Sequence, residues 1–277
     1  MTKPKVFVTR IIPDKGLEMV RDFCEVDLWT NELPPSREEL LKRIQGVDGI
    51  LSLLTDATAD FAFTLMMSAG RRILEADRYV RDGKWKTWGP MLLLGTEMKG
   101  ATLGLVGFGR IGKAMARRAV GFDMRVIYYD PNESKPDPDI KASSVDFESI
   151  LEESDFISLH TPLTPDTRHL IDSEALSRMK PDAVLINTSR GPVVDPDALY
   201  EALKENRIFA AGLDVTEPEP LPADHPLLNL DNVVVMPHIA SASKVARNKM
   251  SWMAAKNLIS GLKGDHLPNC VNPQVYK

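Results

Sequence analysis

Three residues with chemical potential each come shortly after a run of apolar residues that predicts a buried strand. They are Arg190, Glu219 and His238. An arginine can bind an anion, and an acid and a histidine can transfer protons. Ligands of an open α/β sheet bind at the carboxyl ends of its strands, so these side chains are expected at one edge. Each also has a plainer interpretation: Arg190 as a solvated loop charge, Glu219 as a surface acid between two prolines, and His238 as a hydrogen-bonded strand-end histidine.

A glycine-rich turn upstream gives these residues a context. Residues 102–112 form a short apolar run that ends in G-x-G-x-x-G and opens into a helical pattern. Gly107 permits a tight turn, Gly109 lets the backbone approach a pyrophosphate, and Gly112 lets the helix pack on the strand. Such a turn alone is weak evidence, but Asp130 follows a second strand-like run. It stands about 20 residues beyond the glycines, where a ribose-binding acid is expected.

Composition excludes several classes of protein. The chain has 277 residues, 43% of them hydrophobic, which is enough for a large core and predicts two domains. A net charge of -5 without a dense basic block argues against nucleic-acid binding. Cys24 and Cys270 are too few for a disulfide framework or a thiolate metal site, so we expect no metal and a cytoplasmic location. The apolar stretches are too short for a bilayer, so we expect no membrane partner.

The order of the predicted elements indicates an α/β fold. Residues 5–54 are typical of a β-α-β-α-β unit, and residues 56–80 predict one long apolar helix. That helix could pack against a second subunit or lie beneath the main sheet. From residue 102 onward strands alternate with helices, and the strands are mostly continuous apolar runs, as in a parallel sheet buried on both faces.

Together these motifs resemble the D-isomer-specific 2-hydroxyacid dehydrogenase family, and within it the glyoxylate/hydroxypyruvate reductases. The segments that carry the resemblance are residues 107–112, 187–191, 211–215, 219–220 and 237–239, with 221–228 most like the reductase branch. The resemblance implies a doubly wound parallel sheet of the Rossmann type and a second, smaller, flavodoxin-like domain. The expected domains are a substrate (catalytic) domain at 1–56 joined by 263–277, a dimerisation helix and loop at 57–99, and a dinucleotide-binding domain at 100–262.

The resemblance also implies a role for each candidate residue. Arg190 would grip the substrate carboxylate and keto oxygen, His238 would protonate the keto oxygen while NADH delivers hydride, and Glu219 would orient His238 and favour its imidazolium form. Asp130 would bind the adenosine ribose, which favours NAD(H) with NADP(H) as the second candidate, and Asp214 would lie beside the nicotinamide carboxamide. The full set of implied cofactor contacts is Gly107, Gly109, Arg110, Ile111, Gly112, Asp130, His160, Thr161, Pro162, Thr188, Ser189, Arg190, Asp214, His238 and Ala240.

One departure from the family falls between Leu54 and Ala57. There the family normally has a further strand, a loop that binds the substrate carboxylate, a helix and another strand, roughly 30 residues or more. The smaller domain is therefore expected to be truncated. The first hypothesis is a homodimeric reductase of a small-molecule 2-oxo acid such as glyoxylate or hydroxypyruvate, with activity weakened by the gap. The alternative is a catalytically weak dinucleotide-binding or corepressor-like partner module.

Overall fold

The computed structural model describes residues 3–31, 35–51, 58–132 and 140–276. The chain divides into two compact units. The larger is Thr58–Ala240, and the smaller combines Met1–Ala57 with Ser241–Lys277. The expected junction between Leu54 and Ala57 lies outside the described residues.

Strands and helices alternate along most of the described chain. The strands are β1 (Lys5–Val8), β2 (Glu25–Leu28), β3 (Gly49–Leu51), β4 (Thr102–Val106), β5 (Arg125–Tyr129), β6 (Ala142–Ser144), β7 (Phe156–Leu159), β8 (Val184–Asn187), β9 (Ala210–Leu213) and β10 (Val233–Val235). The helices are α1 (Asp14–Phe23), α2 (Arg37–Arg43), α3 (Thr58–Gly70), α4 (Ile73–Arg81), α5 (Arg110–Val120), α6 (Phe147–Glu153), α7 (Ser173–Arg178), α8 (Pro196–Lys204) and α9 (Lys244–Leu262).

The larger unit is built on a parallel sheet of seven strands in the order β10-β9-β8-β7-β4-β5-β6. Strand order reverses between β4 and β7, which defines the crevice where such sheets bind ligands. Buried side chains cover both faces of the sheet. This confirms the predicted doubly wound α/β fold.

The apolar helix predicted at residues 56–80 is two helices. Arg72 adopts a left-handed backbone (φ 52°) between α3 and α4 and breaks the run. Helix α3 lies beneath the sheet, where a Cβ on Gly212 of β9 would come within 2.7 Å of Leu65 Cγ. Helix α4 has no buried residue. The two interpretations of this stretch therefore divide between its halves: α3 is core, and α4 leaves apolar side chains exposed.

The smaller unit has a parallel sheet of three described strands in the order β2-β1-β3. Helices α1 and α9 pack against each other in this unit, and Ser251 Oγ of α9 donates a hydrogen bond to Pro13 O at 2.9 Å. Ser36 caps α2 by accepting the Glu39 N–H, as expected. Helix α9 belongs to this compact unit by its contacts, although the resemblance implies a dinucleotide-binding domain that extends to residue 262. The functional domain boundaries remain predictions.

The contact between α1 and α9 gives a test of the smaller unit. A Cβ on Gly16 would lie 1.9 Å from Ser251 Oγ and 2.4 Å from the Ser251 backbone, so Gly16→Ala should destabilise this unit by about 1–3 kcal/mol. Gly261→Ala is the control, because its Cβ would meet only Leu267 Cδ2 at 3.7 Å. Urea unfolding of both variants measures the difference. Equal stability of the two variants would contradict the packing described.

Candidate active site

The glycine turn joins β4 to α5, and its backbone lies against the start of the loop after β7. Gly107 has φ 94°, and a Cβ there would lie 2.7 Å from His160 O, so only glycine fits. A Cβ on Gly112 would lie 2.2 Å from Gly107 O, which shows how closely α5 packs on the turn. Gly109 is different, because no described atom lies within 4 Å of its Cβ position. The open space is where a pyrophosphate would meet the first N–H groups of α5, at Arg110 and Ile111.

Asp130 lies at the carboxyl end of β5, beside this turn. Its Oδ2 accepts the Phe108 N–H at 2.8 Å, and its Oδ1 accepts the Asn132 N–H at 3.0 Å. The carboxylate is thus fixed against the glycine turn by backbone groups. Each oxygen keeps a lone pair that could accept a ribose hydroxyl.

The loop after β7 begins with His160, Thr161 and Pro162. His160 Nε2 lies 3.0 Å from Ser158 Oγ, while its Nδ1 is buried without a described partner. Burial lowers the pKa of His160 to about 4, so the imidazole is neutral at pH 7. Thr167 Oγ1 donates to Pro162 O at 2.7 Å and holds the rest of the loop.

The turn after β8 carries Thr188, Ser189 and Arg190, and the buried amide of Asn187 closes it. Asn187 Oδ1 accepts the backbone N–H and the hydroxyl of Ser189 at 3.0 and 2.8 Å, and Asn187 Nδ2 donates to Arg190 O at 2.9 Å. Arg190 is exposed, and its Nη1 donates to Ser189 O at 2.6 Å. The Thr188 hydroxyl is buried and has no described partner. A buried unpaired hydroxyl at this edge is consistent with a ligand contact.

Asp214 directly follows β9 and anchors the turn after β10. Its Oδ1 accepts the Ile239 N–H at 2.8 Å, its Oδ2 accepts the Ala240 N–H at 2.7 Å, and its backbone O accepts the His238 N–H at 2.9 Å. Asp214 is 1% exposed. Burial raises the pKa of this carboxyl above its usual value, and the two N–H groups oppose part of the rise. Its contact with a carboxamide stays a prediction, whereas its support of the His238 turn is direct.

Glu219 and His238 form a direct pair. His238 Nδ1 lies 2.6 Å from Glu219 Oε1, and both side chains are about half exposed. His238 has φ 53°, a left-handed backbone that histidine adopts more readily than most residues. Among the described residues Arg190 bonds to Ser189, and no hydrogen bond joins it to this pair. The predicted trio therefore lies at one edge of the sheet as a coupled pair and a separate arginine.

The arrangement fits a dinucleotide. The tight turn at Gly107, the open space at Gly109, the start of α5 and the fixed Asp130 carboxylate are the parts that phosphates and a ribose require. They lie where the strand order of the sheet reverses. The fold and this edge together define a Rossmann-type dinucleotide-binding domain.

The chain belongs to the D-isomer specific 2-hydroxyacid dehydrogenase family. The model of that family's NAD binding domain matches residues 63–240. The glyoxylate reductases of Korarchaeum cryptofilum and Thermococcus litoralis are 47% and 45% identical to this chain, over 99% of it and 98% of each relative. The crystal structure of TT0316 protein from Thermus thermophilus has a TM-score of 0.90 and 40% identity, over 96% of this chain and 99% of that one.

The alignment with the Korarchaeum protein is longer than this chain. The alignment with the Korarchaeum protein is 324 positions long, whereas this chain has 277 residues, so at least 47 positions have no residue here. This agrees in scale with the segment expected to be missing. The place of the gap is a prediction from sequence, because residues 52–57 are not described.

Sequence reasoning missed several residues that build this edge. Asn187 shapes the Arg190 turn, and Glu217 binds both Arg168 and His169. In the sequence, Glu217 is marked only by its position two residues before Glu219, and its partners become visible only in the fold.

No group of three or more metal-ligating side chains occurs in the described chain, and none of its helices combines the length and apolar character needed to cross a bilayer.

His160 gives a pH test of the site. The unfolded chain binds a proton at His160 below about pH 6.5, whereas the folded chain resists it until about pH 4. Neutral His160 therefore contributes to the free energy of unfolding above pH 6.5, and this contribution, about 3 kcal/mol at most, is lost as the pH drops to 4. Urea unfolding of wild type and of His160→Gln is measured from pH 7 to 4. The free energy of unfolding should fall less steeply in the variant than in wild type, and His266→Gln, the control, should behave as wild type. Parallel curves would contradict the burial of a neutral imidazole.

Proposed function

We propose that the protein reduces a small 2-oxo acid, such as glyoxylate or hydroxypyruvate, to the 2-hydroxy acid with NADH. The observation that carries the proposal is the 2.6 Å pair of His238 and Glu219 on the same sheet edge as Arg190 and the dinucleotide site. The substrate class is supported by the curated relatives, which are named glyoxylate reductases.

The histidine would supply the proton. Its Nδ1 is engaged by Glu219, which leaves Nε2 as the nitrogen that can face a substrate. Protonated His238 would give the Nε2 proton to the keto oxygen, and in the oxidation direction neutral Nε2 would take it back. Glu219 would hold the ring in this orientation and stabilise its positive charge.

Arg190 would bind the acid end of the substrate. A guanidinium offers a planar set of donors that matches a carboxylate and a neighbouring keto oxygen. Its own bond to Ser189 O and the Asn187 bonds around it preset the turn from which it projects. When bound, the reduced nicotinamide supplies the hydride for the keto carbon. The chain's own part is alignment and proton transfer.

The missing segment should weaken this activity. The larger unit contains every predicted site residue and has its own core, so it should bind NADH nearly as its relatives do. The carboxylate-binding loop of the family would lie in the missing segment, and a loosely held substrate loses alignment. The alternative is a dinucleotide-binding partner module with little turnover.

Self-association as a homodimer is supported by the exposed apolar face of the larger unit. Helix α4 exposes Ile73 and Val80, and the following loop exposes Trp85, Trp88 and Met91, with Trp88 78% accessible. Large apolar side chains exposed close together in sequence are typical of subunit contacts. A second copy of this chain is the partner we propose.

The deciding experiment measures NADH oxidation with glyoxylate and with hydroxypyruvate, together with NADH affinity by fluorescence. We expect NADH binding in the micromolar range and slow turnover that is lost in His238→Gln. Brisk, saturable turnover would contradict the expectation that the missing segment weakens the reductase activity. NADH binding without any turnover would favour the alternative, a dinucleotide-binding partner module. Failure to bind NADH would refute both.

The cofactor preference depends on Asp130. Its carboxylate can accept hydrogen bonds from a ribose 2′-hydroxyl but would repel a 2′-phosphate, so NADH should bind more tightly than NADPH. Asp130→Ser should narrow the ratio of the two dissociation constants by about tenfold, equivalent to about 1.4 kcal/mol. Asp182→Ser removes the same charge just before β8, at the opposite end of the strands, and should leave the ratio unchanged. Comparable constants in wild type would count against the assignment.

The pair of Glu219 and His238 gives a test of the proposed proton transfer. Glu219→Gln removes the carboxylate that lies 2.6 Å from His238 Nδ1 and orients the ring, and should reduce the reductase rate. The measurement is kcat/KM for glyoxylate, with Glu201→Gln as a surface control. An unchanged kcat/KM in Glu219→Gln would show that the pair does not act together.

A further inference from the structure

A charged group lies beside the catalytic loops and has no part in the chemistry proposed above. Glu217 accepts a hydrogen bond from Arg168 Nη2 at 2.8 Å through one carboxylate oxygen. Its other oxygen lies 2.9 Å from His169 Nε2. We call Arg168, His169 and Glu217 the clamp. It joins the segment after β7 to the loop after β9, two residues before Glu219.

The same segment also holds the loop that carries Arg190. The His169 N–H donates to Pro192 O at 2.8 Å, and the Ile171 N–H donates to Val193 O at 3.1 Å. The side chains of Arg168 and His169 therefore bond to the loop after β9, and the backbone N–H groups of His169 and Ile171 bond to the loop after β8.

The loop after β8 and the loop after β9 are also in direct backbone contact with each other. A Cβ on Gly191 would lie 1.9 Å from Thr216 O and 2.9 Å from Glu217 N. The backbone next to Arg190 thus rests on the backbone next to Glu217. A shift of Glu217 would be transmitted to both loops, because neither has free space at this contact.

We propose that Arg168, His169 and Glu217 are positioning residues that fix Glu219 for its hydrogen bond with His238. The proposal rests on the proposed reductase function and adds residues that do not touch the substrate. Because Glu219 and His238 are themselves half exposed, little packing holds Glu219 in place apart from its own loop. The clamp supplies that restraint at Glu217, two residues before Glu219.

The geometry of the clamp favours positioning over bulk stability. Exposed ion pairs contribute little to stability, and Arg168 is about half exposed. His169 holds a left-handed backbone (φ 51°), and its Nδ1 faces Asp195 at 3.7 Å, so two carboxylates flank the ring. The hydrogen bonds from His169 and Arg168 hold the pKa of Glu217 below its usual range, so this residue stays ionised at neutral pH.

The test compares Glu217→Gln with Glu152→Gln. Glu152 accepts two hydrogen bonds from Arg178 at 2.8 and 3.2 Å, so the control loses a comparable ion pair away from the loops. In Glu217→Gln the NMR resonances of the His238 ring should move toward those of Glu219→Gln, which marks the broken pair. We expect kcat for glyoxylate to fall about tenfold, with KM and NADH affinity within about twofold of wild type. Glu152→Gln should leave all of these unchanged.

Unchanged His238 resonances, or changed resonances with unchanged kcat, would overturn the proposal. If wild type shows no turnover, the proposed function fails, while the His238 resonances still decide whether the clamp sets the pair. Should Glu217→Gln not fold, Arg168→Gln takes its place, and Arg168→Lys should restore much of the wild-type spectrum. A wild-type His238 spectrum in Arg168→Gln would then overturn the proposal.

Discussion

The buried carboxylate of Asp214 holds the turn that carries His238, and the geometry of the whole edge depends on it. A carboxylate that is 1% exposed is costly to bury, and here the cost is offset by two backbone N–H groups, those of Ile239 and Ala240. Those bonds fix the chain just beyond His238 while its backbone is left-handed. On this anchored turn, His238 Nδ1 lies 2.6 Å from Glu219 Oε1.

A parallel sheet explains why residues distant in sequence can act together. The strands β8, β9 and β10 are hydrogen-bonded neighbours, so Arg190, Glu219 and His238 leave the sheet at one edge. The sheet brings the loops to this edge but does not fix their final positions. The amide of Asn187 fixes the loop after β8, and the carboxylate of Asp214 fixes the loop after β10. The interior packing of the larger unit keeps these anchors at fixed separations.

Much of this could be predicted from the sequence because the signals are local. The spacing of Gly107, Gly109 and Gly112 and the apolar strand runs predicted the fold, and strand ends predicted the positions of Arg190 and His238. The break at Arg72 was missed because a left-handed residue other than glycine has little signature in sequence. Strand β6 has no signal in the sequence, because Ala-Ser-Ser has no apolar pattern. The partners of Glu217 and the membership of α9 in the smaller unit arise from contacts between distant residues, which periodicity cannot reveal.

A buried anchor, and not the exposed pair alone, holds the turn that carries His238. The variant Asp214→Asn tests this, because it keeps the side chain's shape but turns one acceptor into a donor facing a backbone N–H. We expect a loss of about 1–3 kcal/mol in unfolding free energy and a fall in kcat that exceeds any change in NADH affinity. Asp197→Asn, at an exposed position on α8, should change neither. Wild-type stability and kcat in Asp214→Asn would show that Asp214 does not set the position of His238.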